Sequence, residues 1–176
     1  MMKLGHILIG LLFMQQIMIF DFNPSSRIKS WTVVDDFVMG GRSMGNLKIN
    51  KEGHAQFYGT VSLDNNGGFS SIRHSFNTIA ATNQSKFVLK LKGDGKNYQF
   101  RVKDKFYKKY SYIYEFQTNG EWQTIEIPFD VMYASFRGNR LDIPNYNGSQ
   151  MQEIAFLIAN KRNEQFNLII DSIAIE

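Results

Sequence analysis

The stretch KFVLKLKGDGKNYQFRVK, from Lys86 to Lys103, predicts the fold class of the chain. On each side of Gly93–Gly95, apolar or aromatic residues alternate with other residues at every second position. A period of two sends successive side chains to opposite faces of a β-strand, so one set is directed inward and the other outward. We therefore expect two strands separated by a glycine-containing turn.

The same alternation recurs on both sides of this stretch, at Phe57–Leu63 and at Tyr112–Phe116. Ile154–Ala159 is apolar at every position, which indicates a strand covered on both faces. Phe166–Ile175 is expected to be the last strand. Many short strands, with turn residues between them and no long amphipathic helix, predict an all-β fold, an antiparallel sandwich or barrel.

Two local predictions are more specific. Asn119–Gly120 is a favoured two-residue turn, so we expect a β-hairpin between Tyr112–Gln117 and Trp122–Ile127. Short helical turns are expected near Asn77–Asn83 and Phe129–Ser135.

The composition is that of one folded domain, which we place at residues 19–176 and expect to be a monomer. The 176 residues are 43% hydrophobic and 20% charged, so the bulk of the chain is not expected to be disordered. The chain has no cysteine, which excludes disulfides and cysteine-based nucleophiles or metal clusters. A net charge of +4 would help binding to an anionic partner, but it is also an ordinary surface charge.

The first 18 residues differ from the rest of the chain. The apolar run Ile7–Met14 is too short to span a bilayer and suits the core of a secretory signal. No alanine precedes Ala55, so the usual cleavage signature is missing. The alternatives are an uncleaved anchor and a translation start at Met18. A start at Met18 implies a cytoplasmic protein, and the other interpretations imply an exported or membrane-associated one.

No set of residues has the spacing of a known catalytic centre. The three histidines are not spaced as zinc ligands, and Ser70 and Ser71 do not lie in a G-x-S-x-G motif. Asp35 and Asp36 would point to opposite faces of a strand, so they are not an acid/base pair. We expect one of them to bond the glycine-rich backbone that follows, with Ca²⁺ binding as the alternative. Catalytic residues, metals and cofactors are therefore not expected.

The basic run KDKFYKKY, from Lys103 to Tyr110, mixes cations with aromatic residues. This mixture suits binding to single-stranded RNA, through stacking and phosphate contacts. It also suits an edge hairpin that lysines protect from aggregation, which is the interpretation we favour.

Two segments are unusual: WTVVDDFVMGGRSMG at Trp31–Gly45 and FYGTVSLDNNGGFSSIR at Phe57–Arg73. In each, a strand pattern runs into a loop with paired glycines, which permit positive φ angles and close approach of another backbone. We predict that the loops Met39–Gly45 and Asn65–Ser71 bind a partner.

Arginines in these segments could serve either binding or structure. Arg42 and Arg73 offer planar donors to a partner. Alternatively, they pair with Asp35, Asp36 or Asp64 and lock the loops. The candidate partner-binding residues are Trp31, Asp35, Asp36, Met39, Gly40, Gly41, Arg42, Ser43, Asn65, Asn66, Gly67, Gly68, Phe69, Ser70, Arg73 and Arg137.

The two segments resemble the signature of the complex I intermediate-associated protein 30 family. The similarity extends over Phe20–Ile175 and includes Glu121–Pro128 and Phe136–Leu141. It implies a galactose-binding-like jelly-roll β-sandwich. Mitochondrial members of the family help to assemble NADH:ubiquinone oxidoreductase by holding membrane-arm intermediates.

The resemblance therefore implies a non-catalytic, chaperone-like protein-binding module in a short, bacterial-like form. Its protein partners would be subunits or intermediates of a membrane respiratory complex. The family supplies no catalytic residues and no cofactor to transfer. By analogy of fold, the alternative is a carbohydrate-binding module with Phe69, Asn65 and Asn66 at the sugar site.

Overall fold

Two antiparallel β-sheets are formed by residues 16–176, the part of the chain that the computed structural model describes. Short connections, including one-turn 3-10 helices at Ile28–Ser30, Asp36–Met39, Asp64–Asn66 and Phe129–Val131, join the strands. The strands are β1 (Ile17–Asp21), β2 (Trp31–Asp35), β3 (Met44–Ile49), β4 (Ala55–Val61), β5 (Ser70–Ile79), β6 (Lys86–Lys92), β7 (Asn97–Lys103), β8 (Ser111–Gln117), β9 (Trp122–Pro128), β10 (Tyr133–Phe136), β11 (Asn139–Arg140), β12 (Met151–Ile158) and β13 (Glu164–Ile175).

The strand order makes a sandwich of one six-stranded and one seven-stranded sheet. The six-stranded sheet has the order β3-β4-β13-β6-β9, and β1 pairs with part of β13. The seven-stranded sheet has the order β11-β10-β8-β7-β12-β5-β2. Strands β2 and β3 are therefore edge strands, one in each sheet.

The alternating residues of the sequence fill the space between the sheets. Phe87, on β6, and Phe100, on β7, are fully buried, and their ring centroids lie 4.9 Å apart across the two sheets. Burial of one large apolar side chain contributes about 1.5–3 kcal/mol, so rows of such residues are the main source of stability. The all-apolar segment Ile154–Ile158 is buried throughout, because β12 lies in the middle of its sheet.

The hairpin predicted at Asn119–Gly120 is wrong. Strands β8 and β9 flank this turn, but β8 pairs with β7 and β10, whereas β9 pairs with β6 in the other sheet. The chain crosses between the sheets here because β8 already has a partner on each side, whereas β9 pairs with β6, where Ile127 lies opposite Phe87 and is buried in the core.

The predicted helical turns are correct at only one of two places. Around residues 77–83 the prediction is wrong, because β5 continues to Ile79, which pairs with Met151. Around residues 129–135, Phe129–Val131 is a helical turn, and the chain then enters β10.

The basic segment Lys103–Tyr110 connects β7 to β8. Each of these strands has a neighbour on both sides, so the edge interpretation is wrong. Lys108 forms an ion pair with Asp104, and its ammonium lies 5.1 Å from the ring centroid of Tyr110.

The first described strand, β1, begins at Ile17, two residues before Ile19, the predicted start of the domain. Ile17 pairs with Ile175 of β13. The predictions for residues 1–15 lie outside the described residues. Residues 16–176 contain no helix long and apolar enough to cross a membrane.

Candidate functional site

The two glycine-rich loops meet at one corner of the sandwich. The first loop, residues 36–43, runs from β2 in the seven-stranded sheet to β3 in the six-stranded sheet. The second loop, residues 62–69, runs back from β4 to β5. Both loops therefore cross from one sheet to the other, near the edge formed by β2 in one sheet and β3 in the other. There the two loops close the sandwich.

A single buried carboxylate holds the two loops together. Asp36, in the first loop, is completely inaccessible to solvent. It accepts hydrogen bonds from the Ser43 backbone N–H (2.9 Å), the Gly68 N–H (2.6 Å) and the Phe69 N–H (3.2 Å), and from the Ser43 hydroxyl. The Ser43 Oγ also accepts a bond from the Ser62 N–H (3.0 Å). Charge-assisted bonds of this kind are about twice as strong as neutral ones, so Asp36 ties the loops to each other.

The hydrogen bonds to Asp36 change its acidity. Burial raises the pKa of Asp36, but the bonds donated by Ser43, Gly68 and Phe69 together outweigh it, so the pKa lies below the ordinary value of 3.8. The ionised carboxylate is therefore the form that the folded protein prefers.

The paired glycines are explained by the space that this carboxylate occupies. A Cβ added at Gly41 would lie 2.2 Å from Asp36 Oδ1, and a Cβ at Gly67 would lie 2.6 Å from Asp36 Oδ2. Gly40 adopts a φ of +86°, which favours glycine. These glycines serve close packing around Asp36 and a tight turn, so a ligand is not needed to explain them.

Asp35 makes a second connection next to the first. Its Oδ2 accepts the Gly45 N–H (2.9 Å) and its Oδ1 accepts the Ser70 hydroxyl (2.6 Å), which links β2 to β3 and β5. The prediction that one of the two aspartates bonds the following glycine-rich backbone is confirmed, and the structure shows that both do so. Across residues 16–176, no group of three or more His, Cys, Asp or Glu side chains is arranged to hold a metal ion.

Two further contacts cross the corner at its surface. The Asn65 side-chain amide donates to the Gly40 carbonyl (3.0 Å). Arg42 Nη1 lies 3.8 Å from Asp64 Oδ2, and both side chains are exposed, so this ion pair adds little stability. Arg42 thus pairs with one of the aspartates named for it but contributes little to locking the loops, whereas Arg73 pairs with none of them.

Large apolar side chains project from this corner into solvent. We call them the loop patch. Exposed apolar groups that are gathered on one part of a surface are typical of a protein contact. The members of the loop patch are Phe37 (80% exposed), Met39 (58%), Met44 (67%) and Leu63 (41%).

Not all predicted contact residues belong to this surface. Trp31 is 6% exposed and packs between Phe22 and His74, so it lies in the core. Arg137 lies in the β10–β11 turn, at the opposite edge of the seven-stranded sheet. Of the others, Gly41, Ser43 and Ser70 are buried, Gly67, Gly68 and Phe69 are half-buried, and Gly40, Asn65 and Asn66 are exposed.

The candidate set lacked two members of the loop patch, Phe37 and Leu63. Phe37 follows Asp36 directly in a one-turn helix, so burial of the Asp36 side chain leaves the next residue outside. Phe37 begins the short apolar run Phe37–Met39, and residue type alone does not show which side chains of such a run are exposed.

The acidity of Asp36 predicts how stability depends on pH. Its folded pKa is lowered, so its contribution to stability is present above the ordinary value of 3.8 and is lost as pH falls through the folded value. We expect the difference in thermal unfolding midpoint between wild type and Asp36→Asn to shrink as pH is lowered below about 4. A difference that stays constant from neutral pH into this acidic range would contradict the assignment.

A family model described as complex I intermediate-associated protein 30 matches residues 20–170. Among curated proteins, the mitochondrial complex I intermediate-associated protein 30 of Drosophila melanogaster is 27% identical over 186 residues, which cover 90% of this chain and 62% of that protein. The protein of the same name from Mus musculus is 25% identical and covers 89% of this chain and 55% of that protein. The chain thus spans less than two thirds of the length of these relatives, and the predicted resemblance is confirmed.

Solved structures similar to this chain include carbohydrate-binding modules and agarases. A family 11 carbohydrate-binding module from Clostridium thermocellum, in complex with a β-1,3-1,4-mixed-linked tetrasaccharide, has a TM-score of 0.66 and 19% identity, covering 91% of this chain and 94% of that chain. An exo-β-agarase has a TM-score of 0.57 and 11% identity over 90% of this chain and 25% of that chain. At these identities the similarity shows the fold alone. It confirms the predicted galactose-binding-like jelly-roll β-sandwich.

Proposed function

The chain belongs to the complex I intermediate-associated protein 30 family, and from that membership we propose that it is a non-catalytic protein-binding module that helps to assemble NADH:ubiquinone oxidoreductase. The observation that carries the proposal is the loop patch, which presents exposed apolar side chains at a corner fixed by Asp36. In this proposal the loop patch is the surface that holds a subunit or an intermediate of the membrane complex.

The rigidity of the corner supports a binding role. Ordering a loop on binding costs free energy, and a loop already fixed avoids much of that cost. Here Asp36 and Asp35 hold the backbone on both sides of Phe37 and Met39 through hydrogen bonds. The exposed side chains are therefore presented on a preorganised backbone.

The composition of the corner also suits a protein contact. Interfaces typically combine a central group of apolar anchors with a polar rim. Exposed Phe and Met side chains provide the anchors, and the exposed Arg42 and Asn66 lie in the same two loops. A few anchors worth about 2 kcal/mol or more each can dominate the affinity of such an interface.

The proposal assigns no catalytic role to the serine hydroxyls and the histidine imidazole near the corner, because each of these groups makes a contact within the fold. The Ser70 hydroxyl donates to Asp35, and the Ser71 hydroxyl donates to the Val34 carbonyl (2.9 Å). The His74 Nδ1 lies 3.0 Å from the Ser30 carbonyl oxygen. These groups are engaged in structural contacts rather than arranged as a nucleophile and its base.

The two alternatives from the sequence have less support. At the suggested sugar site, the Asn65 amide already donates a hydrogen bond to the Gly40 carbonyl. Phe69 is half-buried, so it offers less ring surface to a sugar. In the suggested RNA-binding segment, Lys108 is already paired with Asp104.

The test of the proposal is affinity purification of the tagged full chain from its native cell, with subunits of NADH:ubiquinone oxidoreductase quantified by mass spectrometry. We expect these subunits to be recovered with the wild type and to be lost with the double variant Phe37→Ser/Met39→Ser. Equal recovery with both chains would overturn the role of the loop patch.

A further inference from the structure

The outer face of the seven-stranded sheet carries one row of side chains that the proposed function does not use. Strand register places these residues next to one another, and their chain neighbours Ile72, Phe100 and Phe156 point into the core. From β2 to β10 the row consists of Thr32, Arg73, Ala155, Arg101, Ile113 and Tyr133.

Two arginines flank a small residue in the centre of this row. Arg73 on β5 and Arg101 on β7 are both register partners of Ala155 on β12. Two strand spacings separate their Cα atoms by about 10 Å, and both side chains leave the same face. Ala155 is only 4% exposed although it lies on the outer face, so longer neighbouring side chains cover it.

Among the described residues, neither arginine forms an ion pair with an acidic side chain. Arg101 donates from Nε (2.9 Å) and Nη2 (2.6 Å) to the neutral amide oxygen of Gln99. Glu115 accepts a bond from Gln99 (2.8 Å) and forms no ion pair with Arg101. The Arg73 guanidinium forms no hydrogen bond or ion pair with any other residue between 16 and 176.

Two positive charges held close together at a partly buried position raise the free energy of the protein when no anion is bound. Burial and the charge of Arg73 lower the pKa of Arg101 to about 10, although Tyr133 and Glu115 oppose this shift, so Arg101 is still charged at neutral pH. Partly desolvated like charges repel each other more strongly than they would in water. A bound carboxylate would relieve this repulsion and could accept paired N–H groups from a guanidinium.

We propose that Arg73 and Arg101 bind one carboxylate of a polypeptide segment that lies across the outer face of the seven-stranded sheet. The proposal goes beyond the proposed function, because it assigns a second surface that does not involve the loop patch. The segment carries a single acidic side chain at this point, flanked by neutral or basic residues.

Acidic residues beside the row favour a polypeptide over a polyanion. Glu115 and Glu153 also lie on the outer face, with register partners Gln99 and Lys103 on β7, two positions either side of Arg101. The repeated charges of a nucleic acid or a polyuronate would meet these carboxylates, whereas one isolated acidic side chain would not.

The test is an NMR titration of the full chain with the peptide acetyl-Ser-Lys-Ser-Glu-Ser-Lys-Ser-amide. We expect shifts of the Arg73 and Arg101 side-chain Nε–H signals and of the Ala155 amide, and no such shifts with the matched peptide that has Gln in place of Glu. The variant Arg73→Gln/Arg101→Gln should lower the affinity at least about tenfold. The charge-matched control Arg27→Gln/Lys51→Gln changes two exposed residues outside the row and should bind as the wild type does.

Several results would overturn the proposal. One is the absence of shifts at Arg73 and Arg101 in the wild-type titration, a measurement that requires no variant to fold. Another is equal binding of the Glu and Gln peptides. Tighter binding of polyuridylate or polygalacturonate at the same residues would assign the site to a polyanion instead. None of these results affects the loop patch, which the titration does not probe.

Discussion

Replacing Asp36 with asparagine is expected to lower the free energy of unfolding by about 3 kcal/mol. Asparagine has nearly the same size, but its amide offers one acceptor oxygen where the carboxylate offers two. The donors from Ser43, Gly68 and Phe69 would then compete for that oxygen or face the amide NH₂ group, inside a site closed to solvent. Urea unfolding followed by tryptophan fluorescence measures this loss as a shift in the midpoint.

Asp64→Asn is the matched control for this prediction. It makes the same chemical change at the same corner, where the carboxylate is exposed and 3.8 Å from Arg42. We expect its cost to stay below about 1 kcal/mol, as for other surface ion pairs. Equal effects of the two variants would show that Asp36 does not hold the loops together.

The double variant Phe37→Ser/Met39→Ser is expected to reduce recovery of NADH:ubiquinone oxidoreductase subunits at least about tenfold. Both side chains are exposed in the free protein, so their loss removes contacts to a partner and little of the core. The thermal unfolding midpoint should therefore remain close to that of the wild type. Quantitative mass spectrometry of the purified material gives the recovery, and calorimetry gives the midpoint.

Phe106→Ser/Tyr107→Ser is the control for loss of exposed aromatic surface. These residues are also exposed, but they lie in the β7–β8 connection rather than in the two loops. Recovery with this variant should equal that of the wild type. If recovery of the subunits falls to the same extent with this control variant, the loss is a general effect of removing exposed apolar side chains and is not specific to the loop patch.

The parts of the fold that could be predicted from the sequence are those that depend on the residue pattern within a single strand. Inward residues such as Phe87 and Phe100 are apolar because one face of each strand is buried, and this pattern is local. The choice of a strand's partner is not local. Asn119–Gly120 has the chemistry of a hairpin turn, yet the burial of Ile127 depends on β6, which lies far earlier in the chain.

The candidate site shows the same division. The bonding of Asp35 and Asp36 could be expected because carboxylates commonly accept N–H groups from a nearby glycine-rich backbone. The burial of Trp31 could not, because it depends on Phe20 and Phe22, which the pairing of β1 with β13 brings to this edge of the core. The placement of Arg73 and Arg101 on either side of Ala155 likewise could not be predicted, because it depends on the register of three strands.

Photo-crosslinking from the loop patch tests the central claim most directly. Benzoylphenylalanine in place of Phe37, in the full chain expressed in its native cell, would react with whatever lies against that side chain. We predict covalent products that contain a subunit of NADH:ubiquinone oxidoreductase, and their absence when the same probe replaces the exposed Tyr107. The same products from both positions, or products from position 37 without any such subunit, would contradict a role for the loop patch in assembling this complex.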